Sequence, residues 1–561
     1  MEAAVCCVVA GSLALYLYHV LWLAPERLRA ALRSQGIAGP RPSFPYGNIA
    51  EMRQAAAAAR TAPPAAAADH QRKGIIVHDY RPAVFPFYEK WRNEYGRQIT
   101  IYLRDLSFLI VRNIKRKIET VLFDKRFMNA GPLFCYSIGN MVFLHASRAD
   151  VVRDLCTCVS PLDLGKSSYM KVTHRPLFGD GILKSSGEAW AYQRKLIAPE
   201  FFPDKVKSMV HLMVGSAMAL VRSWEDRMIS DSKNGGGVCC LLLERKVDDD
   251  IRAYSADVIS KACFGSSYVK GKRIFAMIRE LQKAVSKPNL LAEMTGLSFL
   301  PTRSNRAAWR LNRQVRELIL DVVRENDQSG DEDGNLLNAM LRSVASSGAG
   351  RAAAEDFIVD NCKNIYFAGY ETTAVTAAWC MMLLALHPDW QDQVRDEVRQ
   401  ACAAAPDFAS LQRMKKLTTV IQETLRLYPA GSVVSRQALR DVTLGGVRVP
   451  AGVNIYVPVS TVHLDPELWG ADAREFDPGA RPQQQHPHAS YLPFGAGART
   501  CLGQGFAMAE LKVLLALVIS RFELSLSPGY QHSPARTACA SCSRTWSPSV
   551  RWADRYTIGP H

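Results

Sequence analysis

The chain is poor in acidic residues and lacks the signatures of several common protein classes. Its 561 residues include 53 aspartates and glutamates against 69 lysines and arginines, which gives a formal net charge of +16. No nucleic-acid motif accompanies this charge and the basic residues are dispersed, so we predict no nucleic-acid partner. No internal repeat of fixed period occurs, which argues against a solenoid or a propeller.

A glycine-rich dinucleotide fingerprint is also missing, so the chain shows no site for a flavin or nicotinamide cofactor of its own. Cysteine occurs at 14 positions, but the cytosolic topology argued below does not favour disulfides. Cys539 and Cys542 have the spacing of zinc ligands, yet no second pair of ligands accompanies them. A zinc site is therefore not predicted.

One long stretch near the start of the chain contains no Asp, Glu, Lys or Arg. It runs from Ala3 to Leu23, and about twenty apolar residues span a bilayer as a helix. Arg27, Arg29 and Arg33 follow the stretch and no basic residue precedes it, so the positive-inside rule leaves the bulk of the chain in the cytosol. A cleaved signal peptide is the alternative, but such peptides begin with a positively charged region.

A proline-rich segment follows this stretch. Gly39 to Pro45 reads GPRPSFP, and because proline fixes φ and removes a donor, the segment is expected to be stiff and non-helical. We predict a membrane anchor at residues 1–25, a proline-rich hinge at 26–48 and one large domain at 49–561.

A cysteine near the end of the chain lies in a loop with three glycines. Residues 494–503 read FGAGARTCLG, with Arg499 two positions before Cys501. A thiolate can hold haem iron from one side and leave the other side open, and glycines let the backbone approach a macrocycle closely. Arg499 is placed to meet a haem propionate. A buried structural cysteine in a glycine-rich turn is the alternative.

Three further motifs lie upstream of this loop. They read WAYQR at 190–194, AGYETT at 368–373 and ETLR at 423–426. In the first and the last, residues three or four apart share one helical face. The four motifs and their order resemble those of the cytochromes P450, and the resemblance covers nearly the whole chain.

The resemblance implies a mainly α fold, the cytochrome P450 fold with a small β region, preceded by one N-terminal transmembrane helix. It implies heme b (iron protoporphyrin IX) as cofactor, with Cys501 as the axial ligand of the iron. It also implies electrons from NADPH through a separate NADPH–cytochrome reductase. The residues expected to bind the haem are Cys501, Arg499, Trp190, Arg194, Arg436 and Phe494.

The AGYETT motif lies in a long helical pattern predicted over Glu355–His387. Gly369 in mid-helix costs about 1 kcal/mol relative to Ala, and we expect a local distortion there that makes room for oxygen. Oxygen activation consumes protons, and an acid beside an alcohol suits that task. We therefore expect Glu371 to feed protons through water and Thr372 to offer its hydroxyl, both as catalytic residues. A capping or solvent-facing polar run is the alternative.

Glu423 and Arg426 are expected to be structural. In the family that this chain resembles, the pair is buried and locks with an arginine from a Phe-x-Pro-Glu-Arg-Phe segment. Here residues 476–482 read FDPGARP, so Arg481 is the expected third member. His463 is not expected to bind iron, because the cysteine takes one side and oxygen needs the other.

Two segments depart from the family pattern. Residues 103–134 mix basic and apolar residues without a sustained period, so we expect them to lie outside the core. They look like translated non-coding sequence, with a genuine lineage-specific loop as the alternative. The tail at 535–561 does not alternate as a strand should, and a shifted reading frame would produce such a sequence.

Several stretches, LGKSSY at 164–169 among them, look like the plant microsomal cytochromes P450 that include gibberellin oxidases. The resemblance implies a haem-thiolate monooxygenase that hydroxylates or epoxidises a small apolar molecule, such as a diterpenoid of the gibberellin type. Its expected place is the endoplasmic reticulum membrane, single-pass, with the catalytic domain in the cytosol and basic residues against membrane lipid. A basic face near the cysteine loop would dock an acidic electron donor.

Two alternatives stay open. One is a haem-thiolate isomerase or dehydratase, against which the intact pair Glu371 and Thr372 argues. The other is a catalytically inactive family member, which the two anomalous segments keep open.

Overall fold

The computed structural model describes most of the chain. The described residues are 2–61, 78–95, 133–158, 160–234, 242–265, 268–285, 292, 295, 300–328, 336–346, 350–402, 405–479, 490–526, 535–536, 543–544 and 549–553. Residues 103–132, Arg481 and most of the tail lie outside them, so the expectations for those parts stay predictions.

Helices dominate the described residues. In chain order they are α1 Glu2–Tyr18, α2 Ala24–Arg33, α3 Ile49–Thr61, α4 Arg81–Val84, α5 Pro86–Tyr95, α6 Ala149–Thr157, α7 Ser168–Thr173, α8 Arg175–Phe178, α9 Gly187–Ile197, α10 Pro203–Asn234, α11 Asp248–Phe264, α12 Tyr268–Val285, α13 Arg303–Gln328, α14 Leu336–Ser346, α15 Arg351–Leu386, α16 Pro388–Ala401, α17 Phe408–Arg413, α18 Lys415–Leu427, α19 Val459–His463, α20 Pro466–Trp469 and α21 Gln504–Arg521. A π-helical turn at His19–Leu23 joins α1 to α2, and short 3₁₀ turns occur at Ala198–Phe201 and Gly497–Arg499.

The strands are short. They are β1 Leu133–Ile138, β2 Met141–Ala146, β3 Leu164–Gly165, β4 Leu242–Lys246, β5 Val433–Ala438, β6 Val442–Leu444, β7 Val447–Val449, β8 Asn454–Pro458, β9 Glu523–Leu526, β10 Ala535–Arg536, β11 Ser543–Arg544 and β12 Ser549–Ala553. Five of them form a sheet in the order β1-β2-β8-β5-β3. Within it β2 and β8 are parallel, and the other neighbours are antiparallel. The expected mainly α fold with a small β region is confirmed.

The long helix α15 is the centre of the main apolar core. From Ile358 to Leu384 most of its residues are buried, which is the pattern of a helix surrounded by others on all sides. Helices α11, α21 and α18 pack against it. This arrangement places the AGYETT motif, which lies on α15, in the interior.

The chain begins with an apolar helical segment that is long enough to cross a membrane. Ala4–Arg33 contains an 18-residue window of mean hydropathy 2.0, of which 6% is buried within the protein. The helix continues through α2 to Arg33. The predicted proline-rich hinge at 26–48 overlaps this helix at residues 26–33, where helix-favouring Glu, Arg, Leu and Ala prevail. Residues 39–45, the part expected to be non-helical, lie outside any helix.

Helix α2 and the proline-rich segment after it pack against the five-stranded sheet. Leu32 is fully buried, and Arg29 Nη1 donates to Ser137 Oγ at 3.0 Å. A Cβ on Gly39 would lie 1.7 Å from the carbonyl oxygen of Cys135, so only glycine allows that approach. The expected hinge is thus a segment docked on β1.

Strand β1 begins inside the segment that the sequence pattern marks as anomalous. Leu133 and Phe134 both belong to it. Phe134 is fully buried and stacks on His145 with ring centroids 4.2 Å apart. The anomalous segment therefore ends at residue 132 at the latest, because these two residues pair with β2 and fill the core.

The tail also contributes to the fold. The backbone of β12 pairs with β9 on one side and β4 on the other. The tail was expected to lack the alternation of a strand, but within 549–553 the apolar Val550 and Trp552 alternate with Ser549 and Arg551. The expectation is therefore wrong for these five residues.

A buried ion pair on α18 fastens distant parts of the chain. Arg426 donates from Nε and Nη2 to the two carboxylate oxygens of Glu423, each at 2.7 Å. Its other N–H groups donate to the backbone carbonyls of His463, Ala473 and Glu475. All five guanidinium donors are thereby used, so the buried charges are satisfied by described residues alone.

His463 connects this ion pair to the segment that leads into the cysteine loop. Its Nε2 accepts from the Leu492 N–H at 2.8 Å, so Nδ1 carries the proton and donates to the Arg426 carbonyl at 3.0 Å. Burial lowers the pKa of His463 to about 3, which keeps the ring neutral. Both ring nitrogens therefore have hydrogen-bond partners within the protein.

The docking of α2 can be tested with one substitution. We expect Leu32→Ala to lower the free energy of unfolding by about 2–5 kcal/mol, because it leaves a cavity at a fully buried site. Denaturant unfolding of the detergent-solubilised protein measures this change. Leu15→Ala is the matched control, since Leu15 is 72% exposed on α1. If both substitutions have the same effect, α2 is not part of the folded unit.

Candidate active site

The shape of the cysteine loop depends on two glycines. Gly495 and Gly497 have φ angles of 71° and 70°, a region that favours glycine. A Cβ on Gly497 would lie 2.4 Å from the carbonyl oxygen of Cys156, so the loop packs closely against the end of α6. The Cys501 N–H donates to the Phe494 carbonyl at 2.9 Å and closes the loop.

The thiol of Cys501 is accessible although protein surrounds it. The residue is exposed, yet burial by neighbouring atoms raises the pKa of the thiol. We infer from both observations that the sulfur faces a space enclosed by protein. The Gly503 N–H and the positive charge of Arg194 act in the opposite direction on this pKa, and such groups stabilise a thiolate.

Three of the predicted haem-binding residues meet at Trp190. The guanidinium carbon of Arg499 lies 4.2 Å from the centre of the Trp190 ring, and that of Arg194 lies 5.6 Å from it. Arg194 Nη1 donates to the Thr500 carbonyl at 2.9 Å, and Arg499 Nη2 donates to the Ser185 carbonyl at 3.0 Å. Helix α9 and the cysteine loop are thus joined at this point.

Arg436 on β5 belongs to the same group. Burial, together with the charges of Arg436 and Arg194, lowers the pKa of Arg499 to about 9. Burial lowers the pKa of Arg436 to about 10. Lys166, between β3 and α7, is the residue that the sequence reasoning missed. Burial and the charges of Arg436 and Arg499 lower its pKa to about 7, and its place in the LGKSSY stretch was the available signal.

These cations fit the acidic edge of a haem. None of Arg194, Arg436, Arg499 and Lys166 has a described carboxylate among the causes of its pKa shift. The Nε of Arg499 is buried without a hydrogen-bond partner. Like charges held together are unfavourable unless an anion lies between them, and arginine forks match carboxylates. The two propionates of a haem would meet that need, and the Cys501 thiol beside these cations is accessible to act as a ligand of its iron.

Helix α15 carries the AGYETT motif without a break. The expected local distortion at Gly369 does not occur, because the α-helix is continuous from Arg351 to Leu386. The glycine serves a close approach instead, since a Cβ there would lie 2.6 Å from Cδ1 of Ile259 on α11. Thr372 Oγ1 donates to the Ala368 carbonyl at 2.7 Å.

Glu371 lies in a buried ion-pair network. Its carboxylate accepts from Arg252 Nη1, and Arg252 Nε donates to Asp248 at 3.0 Å. Burial alone would lower the pKa of Arg252, but the charges of Glu371 and Asp248 outweigh it and raise the pKa. The sequence reasoning missed Arg252 because it lies 119 residues from Glu371 and no local pattern marks the contact. Proton transfer through Glu371 requires that Arg252 release it to water.

The comparisons with known proteins agree with this geometry. The family model described as Cytochrome P450 matches residues 106–540. Cytochrome P450 714B1 of Oryza sativa subsp. japonica is 65% identical over 544 residues, covering 94% of this chain and 92% of that protein. Cytochrome P450 714B3 of Zea mays is 60% identical over 534 residues with the same coverage.

A solved structure supports the fold. The crystal structure of the cytochrome P450DA heme domain has a TM-score of 0.63 at 23% identity, covering 76% of this chain and 90% of that one. The chain therefore belongs to the cytochrome P450 family of haem-thiolate monooxygenases and is similar to its plant members designated 714.

Proposed function

We propose that the protein is a membrane-bound monooxygenase that uses NADPH and O₂, through a separate reductase, to hydroxylate or epoxidise a small apolar molecule. The observation that carries this proposal is the accessible Cys501 thiol beside four cations that have no described acid partner. The substrate class that the sequence resemblance favours is a diterpenoid of the gibberellin type. The chain has no dinucleotide fingerprint, which supports electron supply by a partner.

Haem, when bound, supplies the redox chemistry that places one oxygen atom of O₂ in the substrate and reduces the other to water. The chain provides the ligand and the orientation. Cys501 would bind the iron, and its N–H donates to the Phe494 carbonyl, which fixes the backbone of the loop. The residues that would hold the propionates are Trp190, Arg194, Arg436, Arg499 and Lys166.

The oxygen side is provided by the centre of α15. The Thr372 hydroxyl holds a proton that it donates to the Ala368 carbonyl at rest, and a change of rotamer redirects that proton. Once Arg252 has exchanged the carboxylate for water, Glu371 takes a proton from solvent and passes it on to replace the one that Thr372 has given. Arg252 stays compensated during this exchange, because Asp248 binds it independently.

The thiolate ligand is tested by spectroscopy. We expect Cys501→Ser to abolish the thiolate band in the carbon monoxide difference spectrum of the reduced protein, since serine cannot supply the sulfur ligand. Cys402→Ser is the control, because Cys402 lies at the end of α16 and donates only to the Val398 carbonyl. A thiolate band that survives in Cys501→Ser would refute the assignment.

The role of Thr372 is tested by electron use. A positioned proton donor contributes about 10²–10⁴-fold in rate, so Thr372→Ala should lower product formation strongly while NADPH consumption continues. The hydrogen peroxide released per NADPH consumed is expected to rise. Thr376→Ala is the matched control, since Thr376 Oγ1 donates to the Thr372 carbonyl one turn further along. An unchanged peroxide ratio in Thr372→Ala contradicts the role.

The NADPH requirement and the substrate are tested together. Microsomes that contain the protein and a reductase are incubated with candidate diterpenoids, with and without NADPH. Product that carries oxygen from labelled O₂ and forms only with NADPH supports the monooxygenase. Turnover that requires neither NADPH nor O₂ shows the isomerase or dehydratase chemistry instead.

The location is the endoplasmic reticulum membrane, with a single pass and a cytosolic catalytic domain. The apolar segment Ala4–Arg33 and the arginines at its C-terminal end support this. We expect a glycosylation reporter fused to the C-terminus to stay unmodified, because the positive-inside rule keeps that end in the cytosol. The same reporter fused before Met1 serves as the control and should be modified. Modification of the C-terminal reporter reverses the topology.

A further inference from the structure

A buried carboxyl group that has no part in the steps above lies on α21. Glu510 has no exposed surface, and its Oε2 has no hydrogen-bond partner. No ion pair joins it to any part of the chain that the structure describes. A buried carboxyl without a cation is costly in its charged form.

The other oxygen of Glu510 belongs to a chain of hydrogen bonds. Glu510 Oε1 lies 2.7 Å from Ser255 Oγ, and Ser255 Oγ lies 3.2 Å from the Gly369 carbonyl oxygen. A serine hydroxyl has one hydrogen, and a carbonyl cannot donate. Ser255 can be the donor in either contact, but its one hydrogen serves only one of them at full strength. A protonated Glu510 would donate to Ser255 and leave the serine hydrogen for the Gly369 carbonyl.

The groups that face Glu510 are compatible with the uncharged acid. From α11, Tyr254 donates its hydroxyl to the Glu510 backbone carbonyl at 3.1 Å, and Cys263 is the other titratable neighbour. Burial is the larger effect on the pKa of Glu510 and raises it to about 8, whereas Thr373 on α15 is close enough to Glu510 to lower this pKa.

The chain of hydrogen bonds ends beside the oxygen-activating residues. The Gly369 carbonyl adjoins that of Ala368, which accepts from Thr372. Two successive carbonyls of α15 therefore each accept from a side-chain hydroxyl. Ala368 accepts from Thr372 of the same helix, and Gly369 accepts from Ser255 of α11. Glu510 lies on the helix that follows the cysteine loop, so the chain of bonds links the thiolate side to the turn that holds Thr372.

We propose that Glu510 is a positioning residue for the reaction, an uncharged carboxyl that holds the Gly369 turn of α15 through Ser255. When Glu510 loses its proton, Ser255 turns its hydrogen to the carboxylate and the Gly369 carbonyl loses that bond. The turn that carries Thr372 is then less constrained, and proton delivery is less accurate. The kinetic part of this inference rests on the proposed function. The protonation of Glu510 and the hydrogen bond from Ser255 to the Gly369 carbonyl do not depend on it.

The sign of the pH effect follows from the two states. The folded protein keeps the Glu510 proton up to a pH of about 8, whereas the unfolded chain loses it near 4.5. The contribution of Glu510 to the free energy of unfolding is fully present below its pKa in the unfolded chain. This contribution is lost as the pH rises through its pKa in the folded protein.

Three substitutions separate protonation from packing. Glu510→Gln keeps an N–H donor toward Ser255 but cannot ionise. Glu510→Leu has neither property, and Ser255→Ala removes the link while leaving the acid in place. Glu225→Gln is the control, because Glu225 is a surface carboxylate that pairs with Arg521 on the same helix α21.

The full-length protein is measured at pH values from about 6 to about 9, a range in which ordinary carboxyls do not titrate. In the wild type we expect the unfolding midpoint to fall with pH, and the peroxide released per NADPH to rise by up to about fivefold, the ratio that one neutral hydrogen bond allows. In Glu510→Gln the unfolding midpoint and the peroxide ratio should not change with pH over this range. Both should equal the wild-type values measured at the acidic end of the range. In Glu510→Leu and Ser255→Ala the peroxide ratio should be high throughout.

Infrared spectroscopy gives a readout that needs no activity. The difference spectrum between wild type and Glu510→Gln should contain the carbonyl band of a protonated carboxylic acid at neutral pH, and Ser255→Ala should retain that band at a shifted frequency. Absence of the band overturns the inference, and so does a Glu510→Gln variant with the pH dependence of the wild type. These two readouts decide the matter even if the substrate or the reductase assignment fails.

Discussion

The position of the candidate site depends on one buried guanidinium. Arg426 is bound by Glu423 on its own helix and by carbonyls from α19 and from the irregular chain near Ala473 and Glu475. Through His463 this cluster also fixes Leu492, where the segment leading to the cysteine begins. Because every donor is used, the cluster has one arrangement, and the loop that holds Cys501 starts from a defined point.

A second constraint is the excess of positive charge at the edge of the site. Four cations, of which Arg436 is buried and the others are partly buried, come from α9, β5, the cysteine loop and the chain before α7. Their mutual repulsion opposes folding of the empty protein and is relieved when an anion binds among them. Cofactor affinity and folding stability are therefore coupled here: part of the binding free energy of the haem offsets a repulsion that the chain itself creates.

Local sequence patterns predicted the parts of the site that lie within single loops or helices. The cysteine loop, the Trp190–Arg194 face and the Glu423–Arg426 pair all have characteristic spacings, and the structure brings them together as groups. Arg252, Lys166 and the Ser255–Glu510 contact escaped prediction, because each contacts residues remote in sequence and no local spacing marks it. The hinge was drawn from residue 26, although α2 continues to Arg33 and the first proline after that helix is Pro40. The strand β12 was missed because its alternation covers only five residues within a tail that otherwise lacks a pattern.

The docked segment between α2 and α3 changes how the apolar helix relates to the rest of the protein. A flexible tether would let the domain tumble freely above a bilayer. Here α1 continues through the turn at His19–Leu23 into α2, which the Arg29–Ser137 bond and the buried Leu32 hold against the sheet. Where α1 crosses a bilayer, the domain inherits its tilt. The rotational diffusion of the domain is then largely restricted to rotation about the bilayer normal. Each part of the domain surface keeps a constant height above the membrane, where a partner anchored in the same membrane can reach it.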